Sequence, residues 1–313
     1  MFGSDVTVNQ LLSHEVSTDW QQFPGLPFAA NIEASFNRDY HRQWMYENWS
    51  IALYVCTAYV VGVLFGQHIM SMSAKKYSLR VPLFAWNAIL AIFSILGTIR
   101  CLPEFVSVIW NSGLESSYCS SSYYYDVRLT FWYWVFVWSK VVELGDTAFI
   151  ILRKQPLIAL HWIHHVLTLT YAFFVIGEAP ASARWMVNMN FAIHSLMYTY
   201  YALKSLRISV SRSIAMIITS AQIVQMVFGL YINAQAFRLK WSAKACDTSL
   251  SASGAGLFIY ALFFCLFINF FMKSYGKKLT KVVAITSNSV KSGLKSVWRW
   301  LSGAARNVAN KVD

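Results

Sequence analysis

"LHWIHHVLTLTYAFFVI", residues 160–176, sets three histidines at the head of an apolar run. From residue 157 to 176 the run is about the 20 residues that a helix needs to cross a bilayer. Histidine is costly in hydrocarbon, so His161, His164 and His165 need a compensating role. At about 100° per residue the three fall within an arc of roughly 100° on one helix face.

The rest of the chain is built in the same way. Of 313 residues, 57% are hydrophobic and 13% are charged. Soluble domains carry about a quarter charged residues, so the composition points to a membrane protein. The expected spans are 50–70, 82–102, 129–152, 157–176, 184–204, 213–236 and 252–273. This predicts an all-α polytopic membrane protein with seven transmembrane helices and no internal repeat. Residues 1–49 read as a non-cytosolic N-terminal segment, 50–273 as the seven-helix domain and 274–313 as a basic cytosolic tail. The opening MFGSDVTVNQ has neither a basic n-region nor an apolar h-region, so no cleaved signal peptide is expected.

Cation bias gives the orientation. Lys75, Lys76, Arg80, Arg153, Lys154, Lys204, Arg207, Arg212 and the tail cations fall on one side. They outnumber Arg38, Arg42, Arg100, Arg128, Arg184, Arg238, Lys240 and Lys244 on the other. The tail is therefore expected in the cytosol and the N-terminus on the opposite face. The net charge of +12 is mostly this topology signal, and no nucleic-acid partner is expected. Cys119 and Cys246 both fall in non-cytosolic connections, where a disulfide is expected and two unrelated free thiols are the alternative. Asn48 heads the only glycosylation sequon, close against the first span. Residues 36–49 read as an interfacial lead-in, and 290–301 as a surface-bound amphipathic helix with simple disorder as the alternative.

Polar residues concentrate in four consecutive spans. "KVVELGDT" holds Lys140, Glu143 and Asp146, spaced i, i+3, i+6. "NFAIHSLMYTYY" holds Asn190, His194, Tyr198, Tyr200 and Tyr201, and "TSAQIVQ" holds Thr219, Gln222 and Gln225. Each set makes one polar face, and the faces are expected to meet in a chamber enclosed by the third to sixth spans. With Pro156 at the cytosolic boundary, His161–His165 lie roughly 8–14 Å deep, and His194 roughly 15 Å. The approach from the cytosol passes Arg153, Lys154, Lys204 and Arg207, which suit a polyanionic head group. Simpler readings exist for some of these residues: Lys140 and its acids as a packing ion pair, the glutamines as interhelical hydrogen bonds, and the tyrosines as an aromatic belt.

Two chemistries compete for the histidines. A membrane zinc hydrolase needs three histidines and an acid, although adjacent His164 and His165 splay by about 100° and suit one zinc poorly. A membrane di-iron site needs more histidines than the seven in the chain. Alternatively, a span-embedded imidazole attacks a thioester and holds the acyl group activated. Neighbouring histidines then move protons, while Asn190, Gln222 and Gln225 donate to a developing oxyanion or enolate. A seven-helix receptor or transporter is a non-enzymatic alternative that leaves the polar cluster unused.

The four motifs, in order from about residue 130 to 230, resemble those of the very-long-chain fatty acid elongases. "ELGDTAFIILRKQPLIALHWIHH" and "MYTYYALKSLRISVSR" are most similar to the type-6 and type-3 subgroup, which favours saturated and monounsaturated chains. The resemblance implies a seven-helix enzyme of the endoplasmic reticulum that condenses acyl-CoA with malonyl-CoA, releasing carbon dioxide and CoA to give 3-oxoacyl-CoA. It implies His164 as the acyl-carrying nucleophile, with His161 and His165 as its support and His194 as the histidine of the tyrosine motif. Lys140, Glu143 and Asp146 take the third-span polar positions of the family, and Arg153 follows at a place suited to a CoA phosphate. Loss of carbon dioxide generates the carbon nucleophile, so no metal or other cofactor is expected. NADPH belongs to later enzymes of the cycle. Expected partners are the two CoA substrates, membrane lipids, the reductases and dehydratase of the cycle, and a second copy of the chain. The chain departs from the subgroup at Val142, often proline there, and its NKVD end differs from a dilysine retrieval signal.

Overall fold

The computed structural model describes residues 27–276, and the expected amphipathic helix at 290–301 lies outside them. Within them, two short helices, α1 (Pro27–Ala34) and α2 (Arg38–Asn48), precede α3 (Ile51–Met72) and α4 (Arg80–Cys119). A 3₁₀ turn at Ser122–Tyr125 leads into α5 (Val127–Glu143), α6 (Gly145–Leu152) and α7 (Ala159–Ile176). Then come α8 (Ala183–Ser205), α9 (Arg212–Trp241) and α10 (Leu250–Gly276). Among the described residues there are no strands. The chain groups into two units: residues up to Phe264, described below, and those from Cys265 on, whose described part is the rest of α10.

Local chemistry sets the helix ends. Asn37, Asp126 and Ser211 accept backbone N–H groups of the first turns of α2, α5 and α9 through their side chains. At the other terminus, α6, α8 and α9 stop at Lys154 (φ 51), Arg207 (φ 64) and Ala243 (φ 54), all left-handed. In each case the next residue's N–H bonds back five positions: Gln155 to Ile150 O (2.9 Å), Ile208 to Leu203 O (3.2 Å) and Lys244 to Leu239 O (3.0 Å). These are Schellman endings without glycine.

The helices run between two ends. At one, Tyr77 N donates to Leu152 O (3.3 Å), Arg80 Nη2 to Leu206 O (3.5 Å) and Lys154 Nζ to Ser73 O. The connections α3–α4, α6–α7 and α8–α9 therefore meet there. At the other, Asp247 N donates to Cys119 O (2.9 Å) and Ala181 N to Asp247 O (2.7 Å). Ser121 Oγ donates to Ala179 O (2.7 Å) and Arg42 Nε to Gly177 O (3.0 Å). These join the connections after α4, α7 and α9 with α2. The expected Cys119–Cys246 disulfide is present among them, closing a separation of 127 residues. Gly113, at φ 84 within α4, turns its last stretch toward that bridge, a conformation open to glycine.

Five of the expected spans correspond to α3, α4, α7, α9 and α10, the helices among the described residues that are long and apolar enough to cross a membrane. The expected third span is divided between α5 and α6. Leu144 N turns back to Val141 O (3.3 Å) and Thr147 N to Leu144 O (3.2 Å), tightening the helix into a step. Val142 is not proline, yet the break occurs, and Gly145 at the step is pressed against Trp86: a Cβ there would stand 2.6 Å from its ring. The expected fifth span is α8, 23 residues long and rich in polar groups.

Two arginines that read from sequence as flanking cations are interior anchors. Arg184, fully buried, pairs with Glu104 (3.1 Å) and donates to Ser117 O (2.9 Å), Ser120 O (2.8 Å) and Ser122 Oγ (2.7 Å). Arg100 pairs with Glu33 of α1, which also accepts the indole N–H of Trp132 (2.6 Å). Between these anchors the core is aromatic: Phe136 and Trp132 of α5 pack on Phe191 of α8, at ring separations of 5.1 and 6.3 Å.

Candidate active site

The step in α5–α6 divides the "KVVELGDT" acids between two networks. Lys140 and Glu143 stay on the last turn of α5 and pair at 2.7 Å, with 3% and 4% of their surfaces exposed. Ser139 Oγ also donates to Glu143 (3.0 Å), and the ring of Phe136 lies 4.2 Å from Lys140 Nζ. From α8, Asn190 Oδ1 accepts a hydrogen bond from Lys140 Nζ (2.9 Å). An ammonium only donates, so Asn190 must turn its Nδ2 the other way, toward His194 Nε2 at 3.1 Å. That makes Nε2 an acceptor and leaves the proton of neutral His194 on Nδ1, which faces Glu143 Oε1 at 3.7 Å. Four of the residues singled out in sequence thus form one buried circuit.

Asp146 does not join that circuit, because the step rotates it away from Lys140. Its Oδ1 accepts the indole N–H of Trp86 (2.6 Å) and its Oδ2 accepts the Tyr198 hydroxyl (2.9 Å). The Tyr198 ring meets His194 edge-on at 5.3 Å, so the second network touches the first.

On α7, His161 Nε2 lies 3.0 Å from Thr147 Oγ1, which in turn lies 2.6 Å from the Tyr59 hydroxyl. The rings of His161 and His165 are 4.5 Å apart, and those of His164 and His165 are 5.9 Å apart. His164 packs on Phe263 of α10 at 4.5 Å. Among the described residues, no group of three or more His, Cys, Asp or Glu is gathered as a metal site would require.

The remaining candidates lie apart from these contacts. Gln222 Nε2 meets Met197 Sδ at 3.4 Å, and Gln225 is buried further along α9. Tyr201 is half-exposed beside Tyr200, at a ring separation of 5.5 Å. Arg153 and Arg207 sit at the stops of α6 and α8, with Lys204 in the last turn of α8. Cations there complement the negative ends of the helix dipoles. Conversely, Tyr59, Trp86, Ser139 and Thr147 do not stand out in sequence. They extend the polar contacts to α3 and α4, beyond the third to sixth spans. An indole or a hydroxyl carries no charge to mark it, although Thr147 does close the "KVVELGDT" motif.

Fold and site together define an all-helical polytopic membrane protein with histidines, a lysine and carboxylates gathered in its interior. Residues 44–282 match the ELO family, described as GNS1/SUR4, and the chain belongs to that family. It is 42% identical over 263 residues to very long chain fatty acid elongase 6 of Drosophila melanogaster, covering 83% of each chain. It is 41% identical over 258 residues to putative fatty acid elongase 3 of Caenorhabditis elegans, covering 81% of this chain and 78% of the relative. With human very long chain fatty acid elongase 3 it shares 36% identity over 264 residues, covering 84% of this chain and 93% of that one.

Proposed function

We propose that the protein is a 3-oxoacyl-CoA synthase that condenses a long-chain acyl-CoA with malonyl-CoA, the first step of fatty acid elongation. The names of its relatives support elongation. The observation that carries the chemistry is the buried circuit of Lys140, Glu143, Asn190 and His194.

In this reading an unprotonated ring nitrogen of His164 attacks the acyl thioester carbonyl. The C–S bond breaks, and CoA leaves with the proton lost from the imidazole. The acyl-imidazole remains activated. Malonyl-CoA then loses carbon dioxide, and the electron pair of the broken C–C bond attacks the acyl carbonyl. The C–N bond breaks, 3-oxoacyl-CoA forms, and His164 regains a proton. His161 and His165 support the imidazole, and His194, Asn190 and Lys140 stabilise the enolate. No metal, flavin or NADPH enters this sequence.

We place the protein in the endoplasmic reticulum membrane with seven passes, α5 and α6 together making the third. The alternation of the connections between two ends supports that count. The cation-rich end, with Arg153, Lys204 and Arg207, faces the cytosol and receives the CoA groups. The disulfide-bearing end and the N-terminus face the lumen. The same reading has the histidine helix and its neighbours enclose the acyl chain.

Microsomes containing the protein are expected to release CoA from palmitoyl-CoA without malonyl-CoA, leaving an acylated enzyme. Release that depends strictly on malonyl-CoA would sink the two-step scheme. His164→Ala is expected to insert normally and to abolish condensation.

A further inference from the structure

We propose that Tyr59 and Thr147 are positioning residues that hold His161 in one tautomer, with its proton on Nδ1 and with Nε2 as the acceptor. The inference rests on the reading of the histidines as the reacting groups, but it concerns residues outside the four motif histidines.

Three groups in a row share a fixed number of protons. Tyr59 Oη lies 2.6 Å from Thr147 Oγ1, and Thr147 Oγ1 lies 3.0 Å from His161 Nε2. Each hydroxyl owns one proton. Tyr59 is part-buried on a membrane-spanning helix, where an unmade hydrogen bond costs more than in water. Its proton therefore goes to Thr147. Thr147, 1% exposed, has then one proton left to place, and His161 Nε2 is within reach of it. A nitrogen that accepts cannot carry a proton of its own, so the neutral ring is protonated on Nδ1. The reverse polarity would leave the Tyr59 proton without the partner at 2.6 Å.

The step at Leu144 makes this possible. It begins α6 at Gly145, so that Asp146 turns toward Trp86 and Tyr198 while its neighbour Thr147 turns toward Tyr59 and His161. One helical turn thus holds α4 and α8 through the acid, and α3 and α7 through the hydroxyl. His161 lies edge-on to His165, which lies beside His164, so a fixed ring at His161 sets the packing of the other two.

The test is nitrogen NMR of ¹⁵N-histidine-labelled full-length protein in detergent, with the His161 signals identified by their loss in His161→Gln. A protonated Nδ1 and an unprotonated, hydrogen-bonded Nε2 are expected. Thr147→Val should give a mixture of tautomers, while Thr147→Ser should restore the single form. In condensation assays Thr147→Val should lower kcat by about tenfold or more with KM for acyl-CoA unchanged, and Thr147→Ser should recover it. Tyr59→Phe provides a second variant with the same expected spectrum as Thr147→Val. A proton on Nε2 of the unaltered protein would overturn the assignment, as would an unchanged spectrum in Thr147→Val. The expected tautomer in a protein that condenses nothing would instead overturn the functional reading and leave the assignment standing.

Discussion

Trp86 donates its indole N–H to Asp146 over 2.6 Å, and its ring fills the space that a side chain at Gly145 would need. One tryptophan on α4 thus touches both the acid and the glycine at the step that presents it. Trp86→Phe keeps a ring but strands a carboxylate oxygen, at a cost of about 1–3 kcal/mol. Gly145→Ala forces the ring aside at a similar cost, and less of it in a Trp86→Leu background, since the two share one contact. Thermal unfolding in detergent measures both, and additive losses would refute the shared contact.

Arg184 should behave as a keystone of α8. Removing its charge by Arg184→Met leaves Glu104 buried without its partner and two carbonyls without donors, a loss of about 3–5 kcal/mol. Pairing it with Glu104→Met should recover part of that loss. Melting curves of the two single variants and the double variant decide the point. A single Arg184→Met protein that melts like its parent would contradict it.

Glu143 accepts from Lys140 and Ser139 and faces the Nδ1–H of His194. Glu143→Gln presents an amide of the same shape, whose N–H₂ opposes donors if it turns toward them. Under the proposed chemistry, incorporation of labelled malonyl-CoA should drop about 10²–10⁴-fold while the protein still purifies as a folded species. Near-normal turnover would leave the circuit a packing device.

Outside the spans, His41 of α2 stacks on Phe36 at 4.6 Å and tilts over Trp134 at 4.8 Å. Burial holds its pKa below the ordinary 6.5. The unfolded segment therefore binds a proton more readily than the docked one, so docking is strongest above 6.5 and weakens as pH falls through the lower folded value. Hydrogen exchange of the α2 amides should accelerate on acidification, and His41→Phe should remove that dependence.

Much of this arrangement is legible along the chain wherever charge or periodicity marks it. Asn190 and His194 are four residues apart, Lys140 and Glu143 three, and helical geometry alone makes each pair neighbours. The bridge from Cys119 to Cys246 follows from counting spans. The step at Leu144 is not legible, because the Trp86 ring that packs on it lies some sixty residues upstream. For the same reason Asp146 reads as part of the Lys140 stripe when in fact it faces another helix. Arg184 and Arg100 read as flanking cations, since nothing local reveals that Glu104 and Glu33 wait for them. Tyr59 and Thr147 have no charge and no period to announce them.

The two ends of the helices are tied with unequal strength. One carries a covalent bridge, a fully interior guanidinium and several short backbone bonds. The other, among the described residues, is joined by one backbone bond of 3.3 Å, the Arg80 bond of 3.5 Å to Leu206 O, and Lys154. Hydrogen exchange is therefore expected to run faster at the second end than at the first. Under the proposed function, an acyl chain would enter at the second end without any bond at the bridged end having to break.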